Sequence, residues 1–409
     1  MLFMDYQQYI KLTSEFTAQE EKKMRTSIQI GSLIGIPIRL HFTFLVILPL
    51  IVVTFALGSE PVGLGDTELS LPVRISFAAI AASLFILSLL LHEISHSYVA
   101  MKYGTKIKSI TFFIFGGLAL MEDLPKEPEK EWKIAIAGPL MSFIIGGLFL
   151  FIYFGIKTVN VGIYDSLRLL MSSIGLLNIV LGTFNLLPAF PMDGGRVLRA
   201  FLAKRMQFLK ATRKAVLVGK TFAAILGIIG FMPDPFLLYS TGEVRILFSP
   251  WLTLIALFLY IAATEEESAT IISATLEGTK VRDVMRTENA AVLESMPITE
   301  LAEKMLREKN AEYAVVSENG DFKGLVTFNE IKELPVEQRH SSNVSTLIKS
   351  VDTMRDTILQ DEAAIEAFKR MVGTKKRILA VVEEGSGKIL GIITKRDLTM
   401  IIELLRERS

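Results

Sequence analysis

The sequence of 409 residues contains no cysteine. This absence excludes disulfides, iron–sulfur clusters, thiolate zinc sites and a cysteine nucleophile. Histidine is scarce as well, with four residues in the chain, so a metal site must draw on these imidazoles and on carboxylates. The net charge of +1 gives no strong field of one sign, and we therefore predict no nucleic-acid partner.

Apolar residues, in contrast, are abundant. They make up 51% of the chain, and the mean hydropathy of +0.44 is too high for an ordinary soluble enzyme. Residues 1–264 hold 23 basic and 17 acidic side chains, whereas residues 265–409 hold 21 and 26. A basic, apolar front and an acidic tail predict a membrane domain followed by a water-soluble domain.

Six apolar runs recur, each close to the ~20 residues that cross a ~30 Å hydrocarbon core. The connections between them alternate between rich and poor in Lys and Arg, which predicts a multi-pass protein of the cell membrane with both termini cytosolic. Residues 1–28 mix charges with scattered apolar residues and are interpreted as a cytosolic segment. The runs lie near residues 41–57, 73–101, 134–156, 168–187, 215–232 and 247–263.

Ionisable residues interrupt the second apolar run, which contains LLLHEISHSYVA. Inserting His92, Glu93 and His96 at this depth in a membrane costs about 2.5–3.5 kcal/mol each, so these residues need a pairing partner or a functional role. The four-residue spacing puts both imidazoles on one helical face. This is the HExxH pattern, in which two histidines bind Zn²⁺ and the glutamate activates a water. The alternative to a zinc site is a pair of buried histidines that form hydrogen bonds with neighbouring hydroxyl groups.

A catalytic zinc needs a third protein ligand. Candidates are His41 and the acidic residues near membrane depth, of which Asp193 stands out in NLLPAFPMDGGR. Prolines and glycines free the backbone from a helix, which is tolerated in a membrane only where the chain is buried in protein or lines a cavity. Asp193 is therefore a candidate ligand, and a helix cap before residues 195–203 is the alternative.

HEISH on a membrane helix, together with NLLPAFPMDGG, resembles the site-2 protease family of intramembrane zinc metalloproteases, peptidase M50. The resemblance covers about residues 30–264 and includes FIFGGLALM and IAGPLMSF. It implies that His92, His96 and Asp193 bind one Zn²⁺ per chain and that Glu93 is the catalytic base. The implied substrates are single-span membrane proteins, cleaved in regulated intramembrane proteolysis.

Two further segments are candidates for substrate binding. Asn185 lies on the same interrupted segment as Asp193 and is a candidate donor to the substrate backbone or oxyanion, with capping of a broken helix as the alternative. Residues 107–121 are rich in β-forming side chains and contain a Gly-Gly break. They predict either a re-entrant strand whose edge receives an extended substrate or an ordinary interfacial loop.

The polar tail contains an internal repeat. After a connector helix over 265–277, GLVTFNE aligns with GIITKRD at an offset of 67 residues. Each copy predicts a helix, two strands and a helix. Helices are predicted over Ile298–Lys309 and Glu362–Met371, and the strands that follow them over Tyr313–Val316 and Ile378–Val382.

These motifs resemble CBS repeats, and the two copies, over 278–340 and 341–409, resemble a Bateman module. The resemblance implies either homodimer formation or binding of ATP or another adenine nucleotide. The residues that would hold the ribose are Thr394 with Asp397, and Thr327 with Glu330.

The predicted fold class is a polytopic α-helical membrane protein, with about six transmembrane helices and re-entrant segments, followed by an α/β CBS pair. Residues 29–264 form the predicted metalloprotease domain. The alternative function is a membrane transporter or channel gated by CBS repeats, in which the ionisable residues line an ion path. A transporter built from repeated halves would show a second copy of such motifs, and the sequence contains no second HExxH or PMDGG.

Overall fold

The computed structural model describes residues 27–59, 62–113, 116–121, 125–156, 163–231, 250–288, 291–348, 353–374 and 376–407. Nearly all of the predicted N-terminal segment 1–28, and the connection between the fifth and sixth apolar runs, lie outside these residues. The chain divides into two compact units, Met1–Glu267 and Ser268–Ser409.

Helices dominate the first unit, and the last of them continues into the second. They are α1 (Phe42–Leu57), α2 (Leu71–Lys102), α3 (Pro128–Ile156), α4 (Ile163–Asn185), α5 (Asp193–Ala203), α6 (Phe208–Ile229) and α7 (Pro250–Glu277). Among the described residues, three stretches are long and apolar enough to cross a membrane: α2, α3 and Leu167–Asn185 of α4. Helix α1 is apolar but has 16 residues. The count of six spans stays a prediction.

Small side chains let the apolar helices approach closely. Ala78, Ala81 and Ala82 lie at helical spacing on α2 and are buried against Phe55 of α1 and Ile174 of α4. Without water to exclude between helices in lipid, such close backbone packing supplies much of the association energy. Helix α3 packs in turn against α2, α4 and α5.

A four-stranded sheet accompanies these helices, in the order β1 (Ser27–Leu33), β2 (Ile36–His41), β3 (Ile107–Phe113) and β4 (Gly116–Met121). The β1–β2 and β3–β4 pairs are antiparallel, and β2 pairs with β3 in parallel. The sequence predicted strand structure in 107–121 but not in β1 and β2. Alternate residues of β2 and β3, such as Ile38 and Ile110, are buried against Ile94 of α2. The sheet is thereby fixed to the helix that carries HEISH.

The second unit contains two three-stranded sheets. The strands are β5 (Ala291–Leu293), β6 (Glu312–Val316), β7 (Phe322–Thr327), β8 (Thr357–Leu359), β9 (Ile378–Val382) and β10 (Ile389–Thr394). The strand orders are β5-β6-β7 and β10-β9-β8, and in each sheet one pair is parallel and the other antiparallel. The helices are α8 (Ile298–Glu308), α9 (Phe328–Glu333), α10 (Val336–Arg339), α11 (Thr353–Asp356), α12 (Ala364–Thr374) and α13 (Lys395–Glu407).

Each repeat has its own core, and a third apolar cluster joins the two. Leu301 and Tyr313 are buried in the first core, and Leu379 and Leu398 in the second. The joining cluster includes the buried residues Ala314 of β6 and Ala380, Ile378 and Ile392 of the second repeat. The predicted helices and strands of the repeats agree with the structure to within three residues at each end.

Candidate active site

Helix α2 positions the HEISH motif. It has no glycine, its only proline is at the second position, and it ends just before Gly104, which has a φ of 86°. His92 and His96 are buried and lie one helical turn apart, with their Nε2 atoms separated by 3.2 Å. An uninterrupted helix therefore aims both imidazoles at one point.

Asp193 approaches the two imidazoles from a different helix. Helix α4 ends at Asn185, a turn that contains a cis peptide bond between Phe190 and Pro191 follows, and Asp193 is the first residue of α5. The Oδ2 atom of Asp193 lies 3.3 Å from His92 Nε2 and 3.1 Å from His96 Nε2. The capping position is occupied by Met192, so the carboxylate of Asp193 turns towards the histidines.

The geometry of these donor atoms fits Zn²⁺. Ligand bonds of about 2.0–2.1 Å in a tetrahedral site place neighbouring ligand atoms ~3.3 Å apart, and the three atoms here are 3.1, 3.2 and 3.3 Å apart. His96 Nδ1 lies 2.7 Å from the carbonyl oxygen of Ile134. Because a carbonyl only accepts, Nδ1 carries the proton and Nε2 presents a lone pair. His92 Nδ1 makes a hydrogen bond with Ser142 Oγ, at 2.9 Å, which orients the ring.

Helix α3 leaves space beside these atoms at Gly138. A Cβ atom at this position would lie 2.2 Å from His96 Nε2 and 2.6 Å from His92 Nε2, closer than real Cβ contacts. Any larger residue would displace the imidazoles or fill the space in front of them. Gly138 belongs to the IAGPLMSF segment, but its role depends on helix packing and was not predicted from the sequence.

Glu93 lies against the sheet and is not one of the three converging donors. Its side chain is partly exposed and makes no hydrogen bond with another described residue. A Cβ atom on Gly117 would lie 2.6 Å from Glu93 Cγ and 3.2 Å from its Oε1. Strand β4, at the edge of the sheet among the described residues, therefore passes directly against the carboxyl group.

Two other candidates are not among the three converging donors. His41 is not in the cluster, which among the described residues consists of His92, His96 and Asp193. Instead, His41 caps the start of α1, where its Nδ1 accepts a hydrogen bond from the backbone N–H of Thr43. Asn185 is the last residue of α4, and its side chain makes no hydrogen bond with a described residue. Its role as a donor to the substrate stays a prediction.

A buried ion pair fixes the helix that begins with Asp193. Arg199 of α5 donates from Nε to Glu131 Oε1 of α3 at 2.7 Å, and from Nη1 to Glu266 Oε1 of α7 at 3.0 Å. The guanidinium also lies 4.9 Å from the ring centres of Phe190 and Phe208. Arg199 thus ties together the helix of Asp193, the helix of Gly138 and α7. No local pattern in the sequence distinguishes Arg199 from the other basic residues of the first unit.

The paired motifs of the tail adopt the same local structure. Glu330 Oε2 accepts from the Thr327 N–H at 2.6 Å and hydroxyl at 2.5 Å. Asp397 Oδ2 accepts from the Thr394 N–H at 3.0 Å and hydroxyl at 2.6 Å. Each pair caps the helix that follows. A cleft of about 500 Å³ between the two repeats is lined by Thr327 and Glu330.

Comparison with known proteins links both units to described families. Residues 80–162 and 156–229 match Peptidase family M50, and residues 281–337 and 348–404 match the CBS domain. A zinc metalloprotease of Methanocaldococcus jannaschii is 34% identical over 387 residues, which are 93% of this chain and 98% of that protein. Rip3 of Mycobacterium tuberculosis is 28% identical over 94% of each chain.

Among solved structures, a site-2 protease from Methanocaldococcus jannaschii is 36% identical. The match covers 59% of this chain and 95% of that chain, with a TM-score of 0.40. The family resemblance inferred from HEISH, PMDGG and the repeated tail motifs is confirmed by the matches to the two family models and by the 34% identical metalloprotease. The chain belongs to Peptidase family M50, a family with zinc metalloprotease members, and carries a C-terminal pair of CBS domains.

Proposed function

We propose that this protein is an intramembrane zinc endopeptidase that hydrolyses peptide bonds within the transmembrane segments of single-span membrane proteins. The observation that carries the proposal is that His92 and His96, on a helix long enough to span a membrane, converge with Asp193 of α5 at distances of 3.1–3.3 Å. The protein is proposed to be multi-pass, with six spans within 29–264 and both termini cytosolic. Family membership favours this function over the transporter alternative.

In this proposal His92, His96 and Asp193 hold one Zn²⁺ per chain. When bound, Zn²⁺ lowers the pKa of a coordinated water towards ~7 and polarises the peptide carbonyl. The protein contributes the orientation of the ligands. Ser142 and the carbonyl of Ile134 hold the two imidazoles by their Nδ1 atoms, so that both Nε2 atoms face the Asp193 carboxylate.

Glu93 is the proposed general base and acid. It lies one residue from the proposed ligand His92 and outside the set of converging donors. It accepts a proton from the attacking water and returns it to the leaving amine. Asn185 is proposed to donate a hydrogen bond to the substrate carbonyl as negative charge develops on its oxygen.

Strand β4 is proposed to receive the substrate. A helical substrate hides its scissile carbonyl, so the chain must become extended, and the backbone groups that this frees need partners in a dry environment. An edge strand offers a row of N–H and C=O groups to such a chain. Because Gly117 has no side chain, the Glu93 carboxyl group and this edge can lie together.

The proposal is tested with purified protein in lipid vesicles and a single-span substrate. Glu93→Gln is expected to lower cleavage by about 10²-fold or more while zinc content stays at one per chain. Asp193→Asn is expected to lose zinc. Glu129→Gln, at the exposed start of α3, is the matched control and should change neither quantity. Cleavage by Glu93→Gln at the wild-type rate, or full zinc content in Asp193→Asn, would contradict the assignment.

For the tail, with its repeats at 278–340 and 341–409 joined by the connector 265–277, we propose binding of an adenine nucleotide that alters the cleavage rate. The support is the match to the CBS domain and the cleft at Thr327 and Glu330. A ligand shifts an equilibrium only through its different affinity for two states, so cleavage should be measured with and without AMP and ATP. Unchanged rates at saturating nucleotide would leave homodimer formation as the function of the tail.

A further inference from the structure

The two Thr–carboxylate motifs of the tail look equivalent in sequence but differ in their surroundings. In both, one carboxylate oxygen accepts hydrogen bonds from the threonine N–H and hydroxyl. The second oxygen is the one left to accept from the hydroxyls of a ribose. Its partner therefore decides whether the motif can bind a ligand.

At the second motif this oxygen is already occupied. Asp397 Oδ1 accepts from Arg286 Nε at 2.7 Å and from Nη2 at 2.5 Å. The Arg286 backbone is fixed as well, because its N–H donates to Ile392 O at 2.8 Å and its carbonyl accepts from the Ile392 N–H at 2.9 Å. The chain thus holds its own guanidinium on the carboxylate from the neighbouring strand.

At the first motif the corresponding oxygen is available. Glu330 Oε1 has no hydrogen bond or ion pair with a described residue, and Glu330 lines the cleft of about 500 Å³. Lys376, a cation that also lines this cleft, is paired with Asp356. Only the first motif therefore combines space with an acceptor that has no partner among the described residues.

We propose that Arg286 fills the second ribose motif, so that each chain binds one nucleotide, and binds it at Thr327 and Glu330. This inference rests on the proposed nucleotide binding. Charge-assisted hydrogen bonds are roughly twice as strong as neutral ones, so the hydroxyls of a ribose do not displace the guanidinium from Asp397. Arg286 acts as an internal substitute for the ligand at that motif.

The charge of the open cleft indicates which nucleotide fits. Its lining has more acidic than basic side chains, which disfavours an accumulation of phosphate charge. AMP should therefore bind more tightly than ATP in the absence of divalent cations. The acidic residues are Glu312, Glu330, Glu333 and Asp356, and the basic residues are Lys376 and Arg377.

The test is calorimetric titration of AMP into the purified full-length protein. The wild type should bind one AMP per chain, Glu330→Ala should bind none, and Asp397→Asn should still bind one. Arg286→Ala should bind two, because the second motif is released. The matched control is Arg282→Ala, which removes an exposed arginine of the same segment that pairs with Asp361 and should leave the stoichiometry at one.

A second measurement needs no variant and so does not depend on the folding of a mutant. Photolabelling of the wild type with 8-azido-AMP, followed by mass spectrometry, should modify the lining of the first cleft, such as Phe328 or Ile378. Label confined to peptides around Arg286 and Asp397 would overturn the proposal.

The other outcomes distinguish the proposed role of Arg286 from the proposed nucleotide binding by the tail. Two AMP per wild-type chain, or binding lost in Asp397→Asn but kept in Glu330→Ala, would overturn the role of Arg286 and leave nucleotide binding intact. Loss of all binding in Arg286→Ala would make this residue a ligand of the phosphate and would also overturn the proposal. Absence of AMP binding in the wild type and in Arg286→Ala would reject both this inference and the proposed nucleotide function of the tail.

Discussion

The carboxylate of Asp193 in the first unit and that of Asp397 in the second have opposite surroundings. Asp193 meets two imidazoles that are oriented by their far nitrogens, and the three donor atoms share a space that Gly138 keeps open. Asp397 meets a hydroxyl, an amide and a guanidinium of its own chain. The first arrangement directs three donor atoms at one point, which suits a cation from solution, whereas in the second the carboxylate is paired with a cation of the chain itself. A motif thus identifies candidate ligands, and the neighbouring residues decide whether they are available.

The largest effect is expected for Gly138→Ala, which should remove the space in which the three donors converge. We expect zinc content near zero and at least 10²-fold slower cleavage, because the new Cβ would lie 2.2 Å from His96 Nε2. Elemental analysis of purified protein measures the first quantity. Gly147→Ala on the same helix is the control, since its Cβ meets no atom within 4 Å. Full zinc content in Gly138→Ala would show that zinc binding does not need the space beside Gly138.

The next largest effect is expected for Arg199→Met. This variant sharpens the comparison of the two units, because it removes a guanidinium that pairs with carboxylates of the first unit itself. Removing one partner of a buried pair costs about 3–5 kcal/mol because the other charge is left unpaired. The unfolding free energy, measured by denaturant titration in detergent, should fall by this amount. Lys204→Ala is the control on the same segment, because its pair with Glu129 is exposed and should contribute nothing measurable. Equal losses in the two variants would contradict the prediction.

A smaller effect is expected for Ser142→Ala, which leaves all three donors in place but releases His92 Nδ1. Loss of such a supporting hydrogen bond typically lowers metal affinity by about 10–100-fold. Competition with a zinc chelator measures the affinity. Ser95→Ala is the control, because its hydroxyl donates to Leu91 O on the same helix and does not touch an imidazole. Unchanged affinity in Ser142→Ala would mean that the helix alone orients His92.

The smallest effect concerns Glu312, an acidic residue of the open cleft. Burial raises the pKa of Glu312, although the nearby Arg377 and Arg286 oppose this shift. A carboxyl group with a raised folded-state pKa stabilises the fold at low pH, and this contribution is lost as pH rises through that pKa. Glu312→Gln should therefore unfold at a higher temperature than the wild type at pH 7. The difference should disappear near pH 4, where both forms are neutral.

Calorimetric scans at several pH values measure this difference. Glu318→Gln, an exposed change in the same repeat, should show no such dependence. A difference that grew as pH fell would have the wrong sign for a carboxyl group destabilised by burial.

The donors that converge were predictable from the sequence, because few residues can bind zinc in a chain with four histidines and no cysteine. The HEISH spacing puts His92 and His96 on one helical face, and the broken helix made Asp193 a candidate for the third ligand. The repeats were predictable because two copies of one pattern support each other. Contacts between distant segments were not. Ser142 lies 50 positions from His92, and Arg286 lies 111 positions from Asp397. No local pattern encodes such pairs.

Strands β1 and β2 were missed for the same reason. They are short, and the pairing of Ile38 with Ile110 joins segments on either side of two helices. Gly117 was visible as part of a Gly-Gly break, but its closeness to Glu93 depends on how the sheet packs on α2. Likewise, Arg199 looked like an ordinary positive charge at a membrane surface until its buried partners were seen.

If the tail binds one nucleotide as proposed, the pairing of Arg286 with Asp397 also determines how steeply the tail responds to the nucleotide concentration. A chain with one open cleft saturates along a hyperbola, because no second binding event within the chain can be coupled to the first. Two open clefts could have produced a sigmoidal curve and a threshold. With one, the output of the protease would follow nucleotide concentration gradually over a wide range, so that the tail works as a continuous adjustment instead of an on–off switch.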